Sequence, residues 1–460
     1  MEKKVILSNQ SVLLKLYGPK FDSVVIPAIN KLIVADKEIR SLETVLVYVD
    51  QINESDYNVP KVTDPTDEKQ NKAAVDAICK KIDPHYVLLL GGPDVIPHQV
   101  LIDPMTDLIQ IIKQNYKHYP EDPSFINSDL PYASSLSYSN KISDYIPALD
   151  RAVGRIGFMD GDADLLATAL NTATKSKPKK KEVYENYFTF ASKFISIGIT
   201  KIVLAEKIIG NVLDKIFPTV SYELSPPKNW EDWNKQQVGA MTHLFLCHGY
   251  PYYPYYLGQG DNNTFKIAFS KESIDDRLNM GTVAVSSACY AAQLYAEADY
   301  FTSWNFLTDI TSEIPDKRNP YAQRAGLCDS YFKNGAVAFV GSTFWGGDVR
   351  IGTSFLQNML TGLSTGQALL KARHDFILTA GADFDEEMQA TLASYILLGD
   401  PSIQPVETNE KTGSIEQSHN KLKRTAENIA RSVTIPEPKI LTKVQRQLLE
   451  KRIGRFMGAI

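Results

Sequence analysis

Cysteine is scarce in this chain. Four occur among 460 residues, Cys79, Cys247, Cys289 and Cys328, and none stands in a CxxC pair. That scatter suits neither a disulfide framework nor a zinc site, so no metal and no disulfide scaffold is expected. Long hydrophobic runs are missing too: no stretch reaches the roughly 18 apolar residues of a membrane span. The start, MEKKVILSNQSVLLKL, lacks an unbroken apolar core and a small-residue cleavage site, so it does not read as a secretory signal. Positive charge is also lacking overall. With 49 Lys and Arg against 54 Asp and Glu the net charge is −5, which argues against nucleic acid as a partner of the core. Gly91-Gly92 follows an apolar run but lacks the lysine or third glycine of a phosphate loop, and reads as a tight turn. A cytoplasmic protein is the simplest expectation.

What is present is ordinary globular material, 43% hydrophobic and 22% charged, in a chain too long for one ordinary core. The charge is uneven. Residues 411–460 carry eleven Lys or Arg and four Glu, or +7, leaving −12 for residues 1–410.

Alternating apolar segments predict a parallel sheet with helices on both faces. VILSNQSVLLKLYG reads as strand or hairpin, SVVIPAINKLIVADKEI as helix, LETVLVYVD as a buried strand, DEKQNKAAVDAICKKI as helix and YVLLLGGPDVIP as strand. After a loop-rich stretch, IPALDRAVGRIGF restores a strand, and DADLLATALNTATK a helix capped by Asp162 or Asp164. The lysine run KSKPKKKE then reads as a solvated boundary between two α/β halves. The second half restarts with YFTFASKFISI, and ITKIVLAEKIIGNVLDKIF is apolar-periodic. A loop is expected over 249–281, a helix near 318–333, the strand GAVAFVG, a helix over 364–379, and a helix across FDEEMQATLASYILLG. The predicted division is 1–174, linker 175–186, 187–406 and a tail 407–460. In that tail, residues 438–457 form a basic amphipathic helix that suits docking on the protein itself, a membrane surface or a partner.

Chemistry concentrates between Thr242 and Tyr290. THLFLCHG and GTVAVSSACY are buried-type strands ending on His248-Gly249 and on Cys289. As neighbouring parallel strands they would bring an imidazole and a thiol together in the crevice at their carboxyl ends. Cys79, Cys247 and Cys328 read as small buried hydrophobes. Strand alternation turns the side chain of Cys247 away from that of His248. Cys289 follows the small residues Ser286, Ser287 and Ala288. It is expected where a strand turns into a helix, whose amides would lower the thiol pKa and hold an oxyanion. Gly249 would let a carbonyl approach its N–H.

A strand ending in His-Gly, followed about forty residues later by one ending in Ala-Cys, resembles the caspase-like clan of cysteine peptidases. YVLLLGGPDVIP, SDLPYA with AVGRIG, GAVAFVGSTFWGG and SYILLGDPSIQP, in that order over roughly residues 40–405, are similar to the gingipain family within it. The resemblance implies an α/β fold of two side-by-side caspase-like subdomains, doubly wound and mainly parallel, with only the second catalytic. It implies a cysteine endopeptidase acting on protein substrates through an acyl-enzyme, without metal or organic cofactor. Cys289 would be the nucleophile, His248 the proton-transferring partner, and the backbone N–H groups of Gly249 and Cys289 the oxyanion hole. Trp345 matches an aromatic residue the family sets against the substrate pocket.

Tyr252, Tyr253, Tyr255 and Tyr256 suit a substrate-lining wall or a rigid loop. Asp348, Asp261 and Asp299 are candidates for an acidic pocket floor, and Asp144 for a third catalytic member. Unlike secreted gingipains, the chain shows no signal or propeptide pattern. That favours an intracellular, regulated protease, as in some bacterial defence systems. The alternative is a latent caspase-like switch or scaffold controlled by a regulatory protein at residues 411–460.

Overall fold

A computed structural model describes residues 2–105, 125–158, 162–197, 201–204, 210–249, 255–261, 265–294, 326–346, 348–381, 384–407 and 424–425. In chain order the strands are β1 (Glu2–Ser8), β2 (Leu42–Tyr48), β3 (Tyr86–Leu90), β4 (Gln99–Ile102), β5 (Phe125–Ser128), β6 (Ala152–Ile156), β7 (Tyr187–Ser192) and β8 (Phe194–Ile197). They continue as β9 (Lys201–Leu204), β10 (Glu223–Ser225), β11 (Thr242–Leu246), β12 (Tyr255–Gln259), β13 (Phe265–Ser270), β14 (Val283–Ser286), β15 (Ala338–Ser342) and β16 (Tyr395–Gly399).

Ten of them form one sheet in the order β10-β7-β11-β14-β15-β16-β6-β3-β1-β2. The chain's first half supplies β6-β3-β1-β2 and its second half the other six. Every neighbouring pair is parallel except β15–β16. The central strands β3, β6, β11, β14, β15 and β16 are buried along their whole length, as continuous apolar runs covered on both faces require. The two halves therefore share a core rather than sitting as separate globules.

Several elements depart from the sequence expectation. Residues Gln10–Tyr17 are helical, not strand, because the Asn9 side chain accepts from Val12 N–H and the i, i+4 pair Leu13 and Tyr17 turns inward. β2 forms as expected but lies at the sheet edge, where Val45 is 37% exposed. The stretch 199–217 contains strand β9, and within 249–281 lies the antiparallel hairpin β12–β13. Helix Arg350–Leu360 was not foreseen, while helix Thr365–Ala380 was.

The largest departure is β16. Helix Glu386–Ser394 ends at Tyr395, and YILLG then runs as a strand between β15 and β6. A slot with backbone partners on both sides outweighs the local helical preference. Asp162 caps helix Ala163–Lys175, as one of the two alternatives had it. Leu327–Lys333 is helical, whereas the start of the expected 318–333 helix lies outside the described residues. The tail helix at 438–457 also lies outside them.

A buried ionic network ties the two halves. Lys4 Nζ, on β1, reaches Asp36 Oδ2 at 2.8 Å and also bonds Asp400 just after β16. Arg40 holds the other oxygen of Asp36 at 2.8 Å. In the lysine-rich boundary, Lys179 N–H donates to Pro405 O and Lys179 O accepts from Glu407 N–H, each at 2.8 Å. Among the described residues, no helix is long and apolar enough to cross a membrane, and no three side chains form a metal cluster.

Candidate active site

The parallel register of β11 and β14 pairs Phe245 with Ser286. Three further residues along each chain stand His248 and Cys289. Strand neighbours lie about 5 Å apart, so the register carries the two chain segments side by side past the carboxyl ends. The backbones stay in contact there: a Cβ on Gly249 would fall 2.0 Å from Cys289 O. Glycine is needed at 249 for this close approach of chain to chain.

Past β14 the chain enters turns at 288–292 rather than the expected helix, so helix amides do not face Cys289 within the described residues. The turn is pinned to the end of β15 instead. Tyr290 N–H donates to Phe344 O at 2.7 Å and Ala292 N–H to Ser342 O at 2.9 Å. Tyr290 adopts φ +56°, a strained left-handed conformation next to the thiol. Cys289 Sγ lies 3.8 Å from Gly346 O, and a Cβ on Gly346 would meet Ser287 O at 2.6 Å. Trp345, next to Gly346 in the chain, is half-buried, packs against the core and stacks on Phe344.

The thiols separate by environment. Cys79, Cys247 and Cys328 are buried and Cys289 is partly exposed. Burial pushes Cys79 up to about 11, and Cys247 and Cys328 well above the ordinary thiol value.

His248 is partly exposed. Its Nε2 lies 3.1 Å from Gln259 Oε1 and 3.3 Å from Phe194 O, and its ring meets Phe265 edge-on. Burial lowers its pKa, partly offset by the Phe194 carbonyl and the Gln259 amide. By contrast His243, the second residue of β11, is locked between Tyr331 Oη and Val238 O, and burial takes it down to about 4.

The remaining candidates fall variously. Tyr252 and Tyr253 lie outside the described residues, as does Asp299. Tyr255 and Tyr256 are core residues of the hairpin at 8% and 2% exposure, not a substrate wall. Asp261 pairs with Lys193 at 2.6 Å. Asp348 holds Arg350 Nε at 3.0 Å, while its backbone oxygen accepts from Tyr395 Oη at 2.7 Å. Asp144 accepts from Ser139 Oγ in the first half of the chain, and it is Gln259 and Phe194 O that meet the His248 ring. Neither was foreseen. A backbone carbonyl carries no sequence signal. Gln259 is hidden because YYLGQ and FKIAFS, β-rich runs around DNN, sit inside a stretch whose polar and glycine residues read as a loop.

A mostly parallel α/β sheet of this kind, with histidine and cysteine strand ends meeting at its carboxyl edge, defines the caspase-like class of cysteine peptidases. Residues 14–406 match peptidase family C25, and the chain belongs to that family; it is a cysteine-type endopeptidase. The fold is similar to the Arg-specific cysteine proteinase gingipain R, with a TM-score of 0.51 and 14% identity over 88% of this chain and 78% of that one. A second solved structure, described as "Structure of Protease", gives a TM-score of 0.48 and 11% identity over 89% and 80%. No curated protein matches the sequence.

Proposed function

We propose that Cys289 and His248 cleave peptide bonds in protein substrates through a covalent acyl-enzyme. The observation that carries this is the in-register meeting of the two strand ends, with Gly249 against the Cys289 carbonyl. Cys289 Sγ attacks the peptide carbonyl, and the oxyanion takes hydrogen bonds from the N–H groups of Gly249 and Cys289. The C–N bond breaks as the amine leaves with a proton delivered through His248. Water then attacks the thioester, His248 takes its proton, and the acid departs as the thiol re-forms.

Trp345 and Asp348 line the substrate side in this reading. The chemistry belongs to residues 187–406, and residues 1–174 act as scaffold. Four free cysteines suit a reducing compartment, in keeping with a regulated protease inside the cell. A tail of +7 beside a body of −12 suits a regulatory partner at 411–460.

A mixed peptide library, incubated with the protein and with Cys289→Ala, tests the assignment and reads the cleavage preference by mass spectrometry. Cleavage only by the unsubstituted protein is expected. Equal cleavage by both overturns it.

A further inference from the structure

One hairpin holds His248 at both its backbone and its ring. His248 N–H donates to Leu257 O and His248 O accepts from Leu257 N–H, each at 2.9 Å. Two residues further along β12, Gln259 Oε1 stands 3.1 Å from Nε2, and Phe194 O stands 3.3 Å from the same nitrogen. A carbonyl oxygen can only accept, so Phe194 requires the proton to be on Nε2. Gln259 must then turn its oxygen, not its NH2, to the ring. The Phe194 carbonyl and the Gln259 amide oxygen together hold the proton on Nε2, which leaves Nδ1 with the basic lone pair.

Gln259 is itself anchored. Its N–H donates to Ser192 Oγ at 2.7 Å, at the end of β7. Gly258 presses on β10 so closely that a Cβ there would fall 2.0 Å from Ser225 O. The hairpin is therefore clamped to two sheet strands while it reaches across to the third.

We propose that Gln259 is the positioning residue for His248: a neutral amide that fixes the Nε2–H tautomer and ring orientation where a carboxylate would act through charge. This rests on His248 being the proton-transfer partner. Among the described residues, charged and titratable groups on the elements near the ring are Lys193, Asp261, Lys266, Tyr255, Tyr256, Cys247 and Cys289. Lys193 and Asp261 are paired with each other at 2.6 Å, and Lys266 points to solvent. The tautomer is therefore set by hydrogen bonding to neutral oxygens.

The test is 15N NMR of the His248 ring with steady-state kinetics in the full chain, in Gln259→Ala and in Gln259→Glu. Gln259→Ala is expected to lower kcat by roughly 10- to 100-fold with KM within about two-fold, since small misplacement of a proton-transfer group costs that much. Gln259→Glu is expected to restore kcat to within a few-fold. It should also raise the His248 titration midpoint by about one pH unit or more, because an adjacent anion favours imidazolium. The limb of the kcat/KM profile set by His248 should move with it.

Identical midpoints and tautomers in all three proteins overturn the proposal. So does a Gln259→Ala variant that melts normally and loses KM but not kcat. The ring spectra are also read in Cys289→Ala, so a failed peptidase assignment and a failed role for Gln259 give separate signatures.

Discussion

Each half of the molecule carries a histidine in the segment that follows a strand of the main sheet, and the two are treated oppositely. In the first half, beyond β3, His98 is fully buried with Nδ1 2.8 Å from Asp129 Oδ1. Asp129 also grips Arg155 through Nε at 2.8 Å and NH2 at 2.6 Å, and Arg155 NH1 donates to Gly91 O and Ile96 O. In the second half His248 is partly exposed, and its ring meets only neutral oxygens among the described hydrogen-bond partners. The thiols show the same contrast, Cys79 sealed in the core and Cys289 partly exposed. Ionic saturation and burial turn a reactive group into a strut. Partial exposure with neutral acceptors leaves the second-half groups without such an ionic lock among the described partners.

The sharpest break of this contrast is the pair of thiols. Cys289→Ala should lower kcat/KM by roughly 10³-fold or more. Cys79→Ala should leave activity intact and cost about 1–2 kcal/mol in a urea melt, as loss of a small core group does. Equal effects on activity would erase the distinction between the halves.

Next is the charge lock. Asp129→Asn strands Arg155 without its carboxylate in a dry site and should cost about 3–5 kcal/mol by denaturant unfolding. Activity per folded molecule should change little if the first half is scaffold.

The lock also predicts a pH dependence. Burial alone would raise the Asp129 and Asp400 carboxyls, but Arg155 beside the first and Lys4 beside the second outweigh it and hold both below the ordinary range. A depressed carboxyl contributes stability that is fully present above its unfolded pKa of about 4 and lost as pH falls through the folded value. Urea melts should therefore weaken on acidification below about pH 4, and less steeply in Asp129→Asn. The smallest effect belongs to the surface: Lys193→Ala breaks a pair whose Asp261 side chain is 68% exposed, and should cost under about 1 kcal/mol.

Much of the second half is legible in the sequence because its signals are local. THLFL and TVAVS are continuous apolar runs of strand length, and each ends on a residue with chemistry beside a small one. The helices over 26–40 and 68–82 were equally plain from their one-sided apolar spacing. The failures share a cause. YILLG reads as the end of a helix until β15 and β6 offer it backbone partners from either side. Tyr255 and Tyr256 look like a polar-aromatic wall until Phe265–Ser270 pairs with them and turns them into core.

Apolar periodicity and the order of its short motifs were enough to specify a parallel α/β protein, to single out His248 and Cys289, and to set Cys247 aside. Those properties depend on residues near one another along the chain. The single continuous sheet, the Lys4–Asp36–Asp400 tie between halves, and the Gln259–Phe194 cradle of the imidazole were decided only in three dimensions. Each depends on partners 11 to 396 residues apart, or on a backbone carbonyl that any residue could present. Such contacts exist only once the strands have chosen their neighbours.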